Sequence, residues 1–165
     1  MYEEKGYLEL NELGERLPSE ERLRKGPVAI IECIQEIPCN PCQEACNRRA
    51  IREFKKITDI PLIDFDKCNG CGICVAKCPG LAIFVVWKDY NNDEALVKVP
   101  YEFLPLPEID REYDVLNRRG EVIGQGRVMK IQSLKENPKT KILWITLNKE
   151  ICMDVRFIRV VNIDE

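Results

Sequence analysis

The sequence predicts an α+β fold in two parts: a half built from one cysteine-bearing unit repeated, then a small all-β, barrel-like domain. Three observations lead there. A four-cysteine pattern occurs twice at a nearly constant offset, each copy is flanked by apolar runs, and residues beyond 108 alternate in short Val- and Ile-rich segments. Four regions follow: a polar arm over 1–26, the cysteine-bearing domain over 27–99, a proline-marked linker over 100–108 and the β domain over 109–165.

In chain order, the arm is polar, with a helix start signalled by Pro18, Ser19, Glu20 and Glu21; such a segment more often wraps a partner or frays than builds a core. Each repeat then reads as strand, ligand loop, short helix, strand. In the first copy these are VAII (28–31), the cysteines from 33 to 46, QEACNRR and IREFKKI; in the second, PLIDF (61–65), the cysteines from 68 to 78, GICVAK and AIFVVW. VPYEFLPLPE, with Pro100, Pro105 and Pro107, cannot sustain a helix or a central strand and is expected as a linker. Beyond it EYDVLN, EVIGQGRVMKIQS, KILWITL and CMDVRFIRVV read as four strands separated by NRRG, KENPKT and NKE turns. Trp144, Phe157 and Met129 are its expected core, and Cys152 a small buried hydrophobe.

Composition narrows the function. The chain has 165 residues, is 45% hydrophobic, and carries nine cysteines and no histidine at a net charge of -3. No apolar run approaches the roughly 20 residues of a membrane span, and the start is acidic where a secretory signal is basic and then apolar, so a cytoplasmic protein is expected. That compartment keeps thiols reduced, which makes metal or redox chemistry the reason to hold so many. The negative charge argues against nucleic acid as a partner.

The spacing carries the chemistry. CNGCGICVAKCP places Cys68, Cys71, Cys74 and Cys78 at gaps of two, two and three residues, closed by Pro79. Cys39, Cys42, Cys46, Ala50 and Ile51 each stand 32 residues before Cys71, Cys74, Cys78, Ala82 and Ile83; only Cys33 breaks the offset, with three extra residues between it and Cys39. A two-residue gap lets successive thiolates turn inward onto one inorganic cluster, and Gly70 and Gly72 permit the positive-φ backbone this needs. A thiolate three residues further on begins a helix, faces away, and is placed to reach a second cluster. All-cysteine zinc sites are built from paired C-x2-C elements, and the compressed run is unlike them, although zinc at both copies, or one cluster beside a degenerate first copy, stays open.

On Cys68, Cys71, Cys74, Cys78 and Pro79, with the looser copy at Cys33, Cys39, Cys42 and Cys46, residues of about 27 to 90 resemble bacterial-type dicluster ferredoxins. The resemblance implies a ferredoxin-like dicluster fold with two 4Fe-4S clusters. Cluster one would be held by Cys33, Cys39, Cys42 and Cys78, and cluster two by Cys46, Cys68, Cys71 and Cys74. The first copy departs from the family pattern in its long Cys33 to Cys39 gap and in Asn47 where a proline is usual.

Without histidine the commonest general base is missing, and there is neither a GxxxxGK loop nor a G-x-G-x-x-G. No catalytic residue is expected on this chain; it reads as an electron carrier, not catalytic on its own. Arg48, Arg49, Arg52, Lys55 and Lys56 crowd the segment after Cys46, either as a solvated face or as a charge that raises a cluster potential or docks an acidic partner. The stretch PVAIIECIQEIPCNPCQEAC, with extensions on both sides of the repeat, is also similar to iron-sulfur subunits of FAD-dependent dehydrogenases of the dye-linked proline and hydroxyproline kind. That likeness implies an electron-transfer subunit in a hetero-oligomer, with FAD on a flavoprotein partner that oxidises an amino acid or amine. A free soluble ferredoxin, or a zinc-bound interaction module, is the alternative.

Overall fold

The structure, a computed structural model, describes residues 2–160. After a one-turn α1 (Tyr2–Lys5), two 3-10 turns and α2 (Glu20–Lys25), the chain is organised by seven strands: β1 (Val28–Ile31), β2 (Ile83–Trp87), β3 (Glu94–Tyr101), β4 (Glu112–Leu116), β5 (Val122–Leu134), β6 (Asn137–Asn148) and β7 (Phe157–Arg159). Two short helices, α3 (Pro41–Glu44) and α4 (Ile73–Lys77), sit between β1 and β2. The strands make one antiparallel sheet in the order β1-β2-β3-β6-β5-β4-β7.

The architecture is thus mixed, with a single large sheet at its centre. The four strands expected beyond residue 108 all form, but they are not a separate sheet: β6 pairs with β3 along its whole length, from Glu94↔Asn148 to Tyr101↔Lys141. Pro100, expected to open a linker, lies inside β3. It is tolerated because β2 pairs with β3 only over Leu96 to Lys98, so the missing N–H falls beyond the reach of β2. The irregular segment starts after Tyr101 and exposes Phe103, Leu104, Leu106 and Ile109.

Strand alternation divides the sheet into two faces. On one, Val28, Ile30, Phe84, Val86, Val97, Val99, Leu143, Ile145 and Ile158 make the main core, closed by Leu23 of α2. The sheet curls over this core, so that Tyr101 of β3 stacks on Phe157 of β7, four places along, at 5.6 Å and 15°. The other face carries Ala29, Ile31, Ile83, Val85 and Ile142, and against it pack Cys42, Cys74, Val75 and Ala76.

Several local expectations change. The arm is docked, since Leu8, Leu13 and Leu23 are 6%, 2% and 3% exposed in an otherwise polar stretch, and Ser19 caps α2 by accepting from the Arg22 N–H at 3.2 Å. Met129 is exposed, because the β5·β6 register slips between Val128 and Lys130 and the bulge turns its side chain off the core face. Trp144 and Phe157 are half-buried at the core margins, while Cys152 is buried as expected. IREFKKI contributes only a bridge, Ile51↔Ile63.

The two halves are also joined by charge. Glu32, just past β1, accepts from Arg118 Nη2 at 2.6 Å and from Arg156 Nε at 2.8 Å; all three side chains are under 10% exposed. Arg156 also lies over the Phe84 ring at 4.6 Å.

Candidate iron-sulfur centres

The 32-residue offset is written into the backbone. Ile31 pairs with Ile83, and Ile51 with Ile63, so the strand before each motif meets the strand after the other. Glu32 N–H donates to Ala82 O at 2.8 Å as Asp64 N–H donates to Ala50 O at 2.7 Å. Arg49 and Leu81 occupy the left-handed region at φ +50° and +52°, and the Ala50 and Ala82 N–H groups point at the Sγ atoms of Cys46 and Cys78, at 3.2 and 3.4 Å. These matched features define a pseudo-twofold that passes between α3 and α4.

Around that axis the structure gathers the eight motif thiols into two groups of four. Cys33, Cys39, Cys42 and Cys78 line one cavity, and Cys46, Cys68, Cys71 and Cys74 line another. Their atom-free spaces are nearly equal, ≈ 360 and ≈ 370 Å³, partly open to solvent. Each takes three thiols from one copy and the fourth from the other, the same partition that the resemblance implies. Cys42 on α3 and Cys74 on α4, both 8% exposed, face the junction of the cavities, while Cys71 is exposed.

The register also explains the irregular gap. Ile31 precedes Cys39 by eight positions, as Ile63 precedes Cys71. The strand-to-loop length is therefore the same in both copies, and no segment is inserted. Cys33 has instead moved three positions toward its strand and still reaches its cavity.

The surroundings suit sulfur-held clusters. Burial pushes the Cys42 thiol up to about 11, with Cys78, Cys39 and Cys33 adding to the rise against the Gln43 backbone N–H, and burial drives Cys74 higher still. Free thiolates are disfavoured there, so cationic iron is what would hold them deprotonated. N–H donors stand ready: besides those of Ala50 and Ala82, the Ala29 and Gly70 N–H groups each reach Cys68 Sγ at 3.4 Å. Among the described residues, no three Cys, Asp or Glu side chains converge on a point as a single metal ion requires. A tetrahedral zinc would draw its sulfurs to about 3.8 Å of one another, from Zn–S near 2.3 Å. Each cavity presents four thiols, the ligand number of a 4Fe-4S core.

The second loop is pinned by residues that the cysteine pattern does not mark. Gly70, at φ +62°, lies so near Pro27 that a Cβ would stand 2.5 Å from the proline Cβ. Arg22 of α2 donates to four carbonyls, those of Phe65, Gly26, Pro27 and, at 2.6 Å, Cys68. Lys98 of β3 donates to Gly70 O at 2.6 Å. Nothing in the sequence pattern marks Arg22 or Lys98; only the fold shows that their partners include carbonyls of the motif loop. Arg22→Ala is expected to cost about 2 kcal/mol by leaving part-buried carbonyls unpaired, and to speed bleaching of the visible absorbance in air; thermal melts and the bleaching rate check this. Arg48, Arg49, Arg52, Lys55 and Lys56 are exposed, and Arg48 borders the second cavity.

Comparison with known proteins agrees with the second motif. Residues 61–84 match the family model of the 4Fe-4S binding domain. The ferredoxin-type protein NapF of Haemophilus influenzae is 44% identical over 52 residues, 30% of each chain. A selenate reductase subunit of Mesobacillus selenatarsenatis is 32% identical over 87 residues, 53% of this chain and 29% of that one. An uncharacterized ferredoxin of Methanocaldococcus jannaschii is 40% identical over 68 residues, 40% of this chain and 41% of the relative. The chain thus spans only about three to four tenths of the length of these curated relatives. No solved structure matches significantly. The chain carries a 4Fe-4S binding segment of the ferredoxin type. No helix among the described residues is long and apolar enough to cross a membrane.

Proposed function

We propose that this chain carries two 4Fe-4S clusters, cluster one on Cys33, Cys39, Cys42 and Cys78 and cluster two on Cys46, Cys68, Cys71 and Cys74, and conducts electrons as one subunit of an oxidoreductase. The observation that supports this most is the pair of four-thiol cavities of nearly equal size related by the pseudo-twofold. Each cluster supplies one-electron chemistry at a potential set by its surroundings. The chain's residues do the rest: α3 and α4 bring Cys42 and Cys74 to the junction of the cavities, the sheet excludes water from one side, and backbone N–H groups donate to the sulfurs.

The proposed donor is a flavin-bearing dehydrogenase subunit that oxidises an amino acid or amine, with FAD on that partner and this chain passing single electrons onward. The relative from Mesobacillus selenatarsenatis, named as one subunit of a selenate reductase, supports the subunit reading. A second reading is a free ferredoxin serving several enzymes, and the relatives named as a ferredoxin-type protein and a ferredoxin are compatible with it. Isolation of the chain from its own cells without oxygen separates them. The subunit reading expects an FAD-containing chain in fixed ratio and a more than tenfold loss of substrate-driven dye reduction on Cys71→Ser; a lone monomer with no flavin chain would overturn it.

A further inference from the structure

Lys98 is 4% exposed in the middle of β3, among EALVKVPY, whose other buried residues are apolar. Alternation sends Ala95, Val97, Val99 and Tyr101 to the main core and Lys98 to the face that carries the cysteine loops. Its Nζ donates to Gly70 O at 2.6 Å and Cys71 O at 3.4 Å, and lies 4.0 Å from the centre of the Trp144 ring, its pairing neighbour on β6. Gly72 lies beside its stem, where an added Cβ would stand in ordinary contact, 3.5 Å from Lys98 Cδ. The carbonyl dipoles and the ring face replace the water that an ammonium loses on burial. Lys130 stands 4.8 Å from the same ring, and Arg48 borders the second cavity. The first cavity includes Asp59 among its lining residues, and its neighbouring cation, Arg16, is only half-buried and donates to Pro61 O at 2.7 Å.

We propose that Lys98 is a potential-setting residue: its buried charge stabilises the reduced form of the cluster held by Cys46, Cys68, Cys71 and Cys74, making that cluster the higher-potential one. This rests on the two-cluster reading. Reduction adds one electron to an already anionic centre, so a fixed cation beside it favours the reduced state, and burial keeps the charge from being screened by salt. The asymmetry gives conduction a direction, from the cavity lined by Asp59 toward the cavity whose loop Lys98 holds.

Reductive titration of the anaerobic chain with dithionite, followed by electron paramagnetic resonance, tests this, with iron counted on each sample and Cys71→Ser marking which signal belongs to the second cavity. The marked cluster is expected to be reduced first in the unaltered chain. Lys98→Met and Lys98→Gln, the latter keeping a donor without charge, are each expected to shift its reduction equilibrium tenfold or more toward the oxidised form, about 59 mV for one electron. The other cluster stays where it was, and Lys98→Arg keeps the original order. Unchanged potentials in fully loaded neutral variants overturn the proposal. Loss of the second-cavity iron in Met and Gln alike also overturns it, showing an anchoring role alone. An unaltered chain with no cluster in that cavity overturns the reading beneath it, and the iron count reports that separately.

Discussion

Replacing Cys74 with serine is expected to remove cluster two and leave cluster one standing, with iron per chain falling by about half. Cys74 is 8% exposed on α4, and its cavity is completed by Cys46, Cys68 and Cys71. A buried serine hydroxyl cannot replace a thiolate to iron there, because ionising it in that setting is far more costly than ionising a thiol. Cys42→Ser is expected to do the converse, removing the cluster of Cys33, Cys39, Cys42 and Cys78. Because Cys42 and Cys74 sit on either side of the cavity junction, magnetic coupling between the two reduced clusters should vanish in both variants. The spectrum of each becomes that of an isolated cluster. Full iron content in either variant would show that the thiol is not a ligand.

The second large effect is on stability. Glu32→Ala is expected to lower unfolding free energy by about 3–5 kcal/mol, since removing one partner of a buried ion network leaves the others uncompensated. Arg118 would keep Asp154 at 3.3 Å, while Arg156, 6% exposed on its side chain, would remain as a buried charge without its carboxylate and beside a like one. Burial alone would raise the Glu32 carboxyl, but Arg156 and Arg118 outweigh it and hold the group below its ordinary value. The sign follows: with the folded value depressed, the network contributes fully above the unfolded carboxylate value of about 4.3, and its contribution is lost as pH falls through the folded one. Denaturant titrations at pH 7 and between pH 5 and 3 check both parts, and Glu32→Ala should flatten that stretch of the pH profile. A loss below about 1 kcal/mol at pH 7 would show that the network does not hold the halves together.

The cysteine spacing made the three neighbouring thiols of each loop legible because ligand spacing is local, set by a few residues of backbone; the exchange of Cys46 and Cys78 between the copies came only from the family resemblance. The 32-residue offset reached further and extends in the structure to Ile31 and Ile63, beyond the cysteines that defined it. What stayed hidden was long-range. Pro100 read as a break, although its position beyond the reach of β2 lets β3 continue and join both halves in one sheet. Met129 read as core because alternation was counted across a bulge. Arg22 and Lys98 are 46 and 27 residues in sequence from Cys68 O and Cys71 O, the carbonyls they hold, and no periodicity points from one to the other.

Iron, acid-labile sulfide and zinc per chain, measured on protein purified without oxygen, test the central claim most directly. About eight irons and eight sulfides with no zinc is the predicted result, one 4Fe-4S cluster for each four-thiol cavity. About four of each would leave the cavity of Cys33, Cys39, Cys42 and Cys78 without a cluster, and stoichiometric zinc without sulfide would contradict the electron-transfer account altogether.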